Sequence, residues 1–247
     1  MAALAAQQDD LATLVSSLGA DGWQTPSRCP GWSVADVVLH LAQTNEMALG
    51  SVRGRYESVV AALTGGLGPA ASVDDGAGMM VEAGRGVPVA EVFARWQESA
   101  TALRVELLAC DPGTRLTWVA GELSARTLAT TRLAETWIHT GDVALPLGAD
   151  LAEDDRLWHI ARLAWRTLPY AFARAGRALA GPVAFELAAA NGDIWHFSPD
   201  DEPATVVEGS AVELCTLAGQ RVAPADTGLV ARGPDAAAVL SLVRTFA

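Results

Sequence analysis

Lysine is missing altogether from the 247-residue chain: all 17 basic side chains are arginine. Imine chemistry on a lysine amine is thereby excluded, and so is a phosphate-binding loop ending in GK[ST]. Cysteine is scarce as well. Cys29, Cys110 and Cys215 form an odd, scattered set without CxxC spacing, so no disulfide framework is expected and a cytoplasmic location is. No stretch reaches about 18 apolar residues without charges, and the opening MAALAAQQDDLATLV has no basic segment ahead of an unbroken apolar one. A membrane span and an export signal are therefore not expected. Positive charge is also in deficit, and a net charge of −12 repels phosphate backbones and anionic lipid surfaces. These absences disfavour nucleic acid and membrane as partners and leave a small molecule.

With 51% hydrophobic residues, the chain has ample material for one large or two small cores. Four apolar-periodic stretches occupy its first two thirds. The first spans about Asp9 to Leu18 and stops at GADG. The second follows TPSRCPGW, with Ser33 as N-cap and Asp36 at the third helical position, and is expected to run unbroken to about Gly65 as the longest helix. A Gly- and Asp-rich linker, GGLGPAASVDDGAG, precedes a third helix with Pro88 near its start and Asp111-Pro112-Gly113 at its end. A fourth begins near Ser124 and ends at Pro146 to Gly148.

Four such helices predict a bundle over residues 1–150, and facing side chains of bundles commonly build internal metal sites. After a further helix, EDDRLWHIARLAWRTLPYAFARAG, the pattern changes to short strand-like runs (PVAFELAAA, DIWHFSP, ATVVEG, GLVARG) mixed with two helical runs. Residues 151–247 are accordingly expected to form a second, α+β domain.

Only four histidines are present, which makes the search for chemistry short. In RLAETWIHTGDVA, Glu135 and His139 stand four residues apart, one above the other on a helical face, so a carboxylate oxygen and an imidazole nitrogen can converge. His40, in DVVLHLAQTNE on the second helix, completes a His/Glu/His set with coordination positions left open if the two helices pack together. The plain alternatives are a helix-stabilising contact for Glu135 with His139 and a core histidine for His40.

PGWSVADVVLHLA followed much later by RLAETWIHTGDVA and a small α+β domain resembles the mycothiol-dependent maleylpyruvate isomerase group of the DinB-type metalloenzyme superfamily. Within it, the chain looks most like an actinobacterial subfamily of metal-binding proteins. The resemblance implies a DinB-like four-helix bundle joined to a domain similar to sterol carrier proteins. It implies a divalent metal on His40, Glu135 and His139, with mycothiol as the thiol cofactor in the characterised isomerase. It also places Arg221, in LAGQRV, where that isomerase has an arginine facing the thiol; a cation at a helix C-terminus is the alternative.

Three further residues stand near these motifs. Asp142 and Asp36 lie three and four residues from His139 and His40, where a carboxylate can receive the free imidazole N–H, or can simply be a helix-end charge. Asp142 is also a candidate base, and Arg132, one turn before Glu135, a candidate contact for an acidic substrate or a surface ion pair. Trp23, Trp32, Trp118 and Trp137 cluster around the same elements, His159 and His196 are assigned no metal role, and Cys29 reads as a small buried side chain.

The leading expectation is a metal-dependent isomerase or transferase acting on a small carbonyl-bearing or conjugated metabolite. Zn²⁺ is favoured, with Ni, Mn and Fe open to the same donor set. A thiol-independent lyase, cyclase or hydrolase of secondary metabolism, and a non-enzymatic small-ligand binding protein, stand as alternatives.

Overall fold

A computed structural model describes residues 1–119, 121–151 and 153–245. Phe246 and Ala247, the end of the C-terminal helical run, lie outside them. The chain divides into two compact units, Met1–Leu151 and Ala152–Ala247.

The first unit is built from α1 (Ala2–Ser16), α2 (Ala20–Gln24), α3 (Val34–Val52), α4 (Tyr56–Thr64), α5 (Val73–Gly84), α6 (Val89–Ala109) and α7 (Ala125–Ala144), with the two-residue strands β1 (Arg115–Leu116) and β2 (Leu123–Ser124) between α6 and α7. Long helices α1, α3, α6 and α7 pack as the bundle, with α3 against both α6 and α7. Its core is Leu11, Val37, Val38, Leu41, Trp96 and their neighbours, all nearly without solvent contact.

Capping fixes where the site helices start. Ser33 accepts the Asp36 N–H at 3.2 Å while the Asp36 carboxylate accepts the Ser33 N–H at 2.9 Å, a complete capping box at the head of α3. Ser124 caps α7 by accepting the Thr127 N–H at 3.1 Å. Both caps set the rotational phase of the helices that carry His40, Glu135 and His139.

The expected unbroken second helix is corrected: it is two, α3 and α4, and the longest helix is α6 with 21 residues. The chain turns at Gly54, whose φ of +67° is left-handed, and the Arg55 N–H bonds back to the Gly50 carbonyl at 2.7 Å. Gly50 then admits α4 so closely that a Cβ there would meet Val59 at 2.8 Å. Part of the expected linker is likewise helical, since Ser72 caps α5 by accepting the Asp75 N–H.

The second unit contains α8 (Arg156–Arg174), β3 (Val183–Ala188), β4 (Ile194–Phe197), β5 (Thr205–Ser210), α9 (Ala211–Ala218), β6 (Val230–Arg232) and α10 (Ala236–Leu242). Its sheet has the order β4-β3-β5-β6, with β3 parallel to β5 and the outer pairs antiparallel. Phe185 and Leu187 alternate into the core beneath α8 and α9, which gives the α+β architecture expected. The molecule is thus mainly helical, with a small mixed sheet confined to its C-terminal part.

Candidate metal centre

His40 on α3 and Glu135 and His139 on α7 meet inside the helical unit. Glu135 Oε2 lies 3.7 Å from His40 Nε2 and 3.6 Å from His139 Nε2, and the two imidazole rings meet edge to face at 4.8 Å. Those separations are too long for hydrogen bonds. They match the edge of a coordination polyhedron, which is about 3.3–3.6 Å for metal–ligand bonds of about 2.0–2.2 Å. Two neutral nitrogens and a carboxylate oxygen are also a donor set that suits a divalent ion of borderline softness. Glu135 is the accessible member, its side chain 23% exposed against 8% for His40, so approach to the cluster is from the Glu135 side.

The two imidazoles are held from behind. His139 Nδ1 donates to Asp142 Oδ2 at 2.9 Å, and Asp142 is fully buried, which fixes the ring with Nε2 toward the cluster. Trp32 packs on the His40 ring at 5.2 Å. His40 Nδ1 is buried without a hydrogen-bond partner among the described residues. Asp36 does not serve it: the Asp36 carboxylate is taken by Ser33 and by Arg85 at 3.0 Å, so this residue is a cap and an ion-pair partner.

Arg132 is only 1% exposed, which removes the surface ion-pair alternative. Its guanidinium donates to Thr44 Oγ1 at 2.8 Å and Asn45 Oδ1 at 3.3 Å, and its charge acts on Glu135. Burial pushes the Glu135 carboxyl up, but the facing His139 and His40 rings and the Arg132 charge outweigh it and hold it well below the usual carboxylate range. Burial pushes His139 down, yet Asp142, Cys29 and Glu135 together raise it well above the ordinary imidazole value. His40 moves the other way, lowered first by burial and then by the charges of His139 and Arg132. Glu135 is thus held toward its carboxylate form, while the two imidazoles are pushed in opposite directions, His139 up and His40 down.

Residues 4–144 match the sequence model of a family described as the mycothiol maleylpyruvate isomerase N-terminal domain. The chain belongs to this family. Two uncharacterized proteins of Mycobacterium tuberculosis, from strains CDC 1551 / Oshkosh and ATCC 25618 / H37Rv, are each 37% identical to it over 248 residues, covering 100% of this chain and 95% of theirs. Among solved structures, a mycothiol-dependent maleylpyruvate isomerase superposes with a TM-score of 0.61 at 18% identity, covering 95% of this chain and 93% of its own. A histidine-to-alanine mutant of that isomerase gives the same score at 17% identity. At that identity the likeness shows a common fold.

Arg221 belongs to the second unit, where its guanidinium folds back to the Gly219 carbonyl at 2.9 Å. His196 sits on β4 across from Glu186 at 3.9 Å, and His159 packs against Trp158 on α8. Trp23 packs at a tilt against Phe93 and Trp118 at a tilt against Tyr56, while among the described residues Trp32 is the tryptophan whose ring meets the His40 ring.

Sequence reasoning missed Cys29. It is half-buried, and its thiol donates to Asp142 Oδ2 at 3.2 Å. Its separation from His139 by 110 positions left no spacing signal that could have found it. Sequence reasoning also missed a cavity of about 640 Å³ beside the N-terminal end of α3, lined by Trp32, Leu39, Val89 and Val92 with Asp36 and Arg85 among its polar groups.

Proposed function

We propose that this protein is a metal-dependent enzyme that works with a low-molecular-weight thiol, catalysing cis/trans isomerisation of an activated double bond or transfer of sulfur to an electrophile. The observation that carries the reading is the convergence of His40, Glu135 and His139 at 3.6–3.7 Å, the spacing of ligands around an ion. Membership of the mycothiol maleylpyruvate isomerase N-terminal domain family supports the thiol and the reaction class. A divalent ion held by these three residues would supply Lewis acidity, which deprotonates a thiol or polarises a carbonyl at neutral pH.

The chain's own residues do the rest. Asp142 keeps the His139 ring oriented and, being fully buried, acts on a reactant only through that ring. Arg132 supplies a fixed positive charge in a site of low dielectric, where it stabilises negative charge gathered at Glu135 and on an anionic reactant. Trp32 holds His40 on one side and forms wall of the cavity on the other, so the organic part of a ligand can pack there.

The test is turnover of a panel of small enones and unsaturated keto acids by metal-loaded protein, with and without added thiol. Conversion that requires thiol supports the reading. Full conversion without any thiol overturns the thiol half of it and leaves a metal-dependent lyase, cyclase or hydrolase.

A further inference from the structure

Among the described residues, two groups of potential ligands share His139: His40 with Glu135 on its Nε2 side, and Cys29 with Asp142 on its Nδ1 side. Distances separate them. Donors around an ion of this kind stand about 3.3–3.6 Å apart, as Glu135 and the two imidazoles nearly do. Asp142 lies 2.9 Å from His139 Nδ1 and 3.2 Å from Cys29 Sγ, which are hydrogen-bond lengths. The second group is a string of hydrogen bonds behind the ring rather than a second ion site.

Resting on the proposed metal reading, we infer that Cys29 is a positioning residue that acts on His139 through Asp142. The segment joining α2 to α3 is built to deliver it. Ser27 N–H bonds to the Trp32 carbonyl at 2.8 Å, the Trp32 N–H returns to the Cys29 carbonyl at 3.0 Å, and Gly31 takes the φ of +78° that closes this turn. The turn is then tied to α7 at the same residue twice: the Arg28 N–H donates to the Asp142 carbonyl at 2.9 Å, and the adjacent Cys29 thiol donates to the Asp142 carboxylate. Trp32, three residues on, packs against His40. One short turn thereby steadies both imidazoles, one through a carboxylate and the other by ring contact.

A carboxylate oxygen that accepts from both His139 and Cys29 has its direction set from two sides, and removing the thiol takes away one of those constraints. The Cys29 thiol lies on the Nδ1 edge, 3.8 Å from that nitrogen, so it does not share the ion-facing side of the ring. Its effect reaches the donor cluster as ring orientation.

The test uses the full chain as wild type, Cys29→Ala, Cys29→Ser, Asp142→Ala and the Cys29→Ala/Asp142→Ala double variant, with Asp142→Asn in place of Asp142→Ala if the latter unfolds. Zinc affinity is measured by chelator competition, and exchange of the His139 Nδ1 proton by NMR on the metal-free, ¹⁵N-histidine-labelled protein. Loss of a residue that orients a ligand costs about 10- to 100-fold in metal affinity. We expect Cys29→Ala to fall at the lower end, about tenfold, with most of the affinity restored in Cys29→Ser and faster Nδ1 proton exchange in Cys29→Ala. In the Asp142→Ala background the Cys29→Ala effect should vanish, because the two act as one unit. Unchanged affinity and exchange in Cys29→Ala, or a loss of equal size in the Asp142→Ala background, would overturn the inference. If the wild type takes up no zinc, the metal reading fails by itself. The proton-exchange comparison then decides whether Cys29 orients His139: faster exchange in Cys29→Ala sustains that role, and equal exchange ends it.

Discussion

Buried polarity is distributed very unevenly between the two units. In the helical unit Asp36, His40, Arg132, His139 and Asp142 are all buried, together with Gln7, Gln8, Gln43 and Asn45; in the second unit the buried polar residues described are Thr205, Asp235 and Thr245. Asp235 there receives the Ala180 N–H at 2.7 Å, and its own N–H bonds to Thr205 Oγ1, so it stitches a loop to a strand. Charge inside a protein is costly unless paired. Arg132 has no carboxylate at ion-pair distance among the described residues, yet it sits fully enclosed beside a carboxylate and two imidazoles. The contrast teaches that the described part of the second unit keeps a largely apolar core, while the first encloses a cluster of ionisable side chains around His139.

If that contrast is right, the two units should respond differently to truncation. The largest effect is expected from Phe185→Ala in the sheet of the second unit, a side chain without solvent contact, at about 3–5 kcal/mol of unfolding free energy. Denaturant unfolding measures it, and zinc affinity of the folded fraction should be unchanged. A matched loss of zinc affinity would show that the units are not independent in this respect.

Arg132→Met should affect the site as well as stability. Turnover falls because the fixed positive charge near Glu135 is gone, and the lost bonds to buried Thr44 and Asn45 cost about 1–3 kcal/mol of stability. A destabilised variant with normal turnover would make Arg132 a structural residue.

A smaller effect is expected from Asp36→Ala, which removes the carboxylate half of the α3 capping box and the ion pair with half-exposed Arg85. The cost should be about 1–2 kcal/mol. Burial pushes the Asp36 carboxyl up, but Arg85 and Ser33 outweigh it and bring it below its ordinary value. The sign follows from linkage: a carboxyl lowered in the folded state contributes stability that is fully present above its unfolded pKa, about 3.9. That contribution disappears as the pH falls through the folded value. Acid unfolding of Asp36→Ala should therefore lack this component.

The smallest signal is a proton count. His139 holds its proton well above the usual imidazole range in the metal-free protein, so zinc uptake near pH 7 should release about one proton from it. Calorimetry in buffers of different ionisation enthalpy reads that number; no release would mean that His139 is already neutral.

Much of the site was legible in the chain because it rests on local rules. The four-residue spacing of Glu135 and His139 puts them on one face whatever the tertiary structure, and Ser33 with Asp36 announces the start of the helix that carries His40. The break at Gly54 was not legible, because glycine is tolerated inside helices and only the packing of α4 on Gly50 selects the turn. Arg85, which draws Asp36 away from His40, and Cys29, which reaches Asp142, act across 49 and 113 positions. Contacts of that range are products of the bundle's assembly and leave no periodicity to read.

The central claim is that the ionisable cluster of His40, Glu135 and His139 exists to hold a metal. Elemental analysis of the purified protein beside its His40→Ala and Glu135→Ala variants, with circular dichroism to show that all three are folded, tests it most directly. The account predicts about one equivalent of a divalent transition metal in the wild type and none in either variant. A folded wild type that carries no metal and takes none up from Zn²⁺ or Ni²⁺ would contradict it.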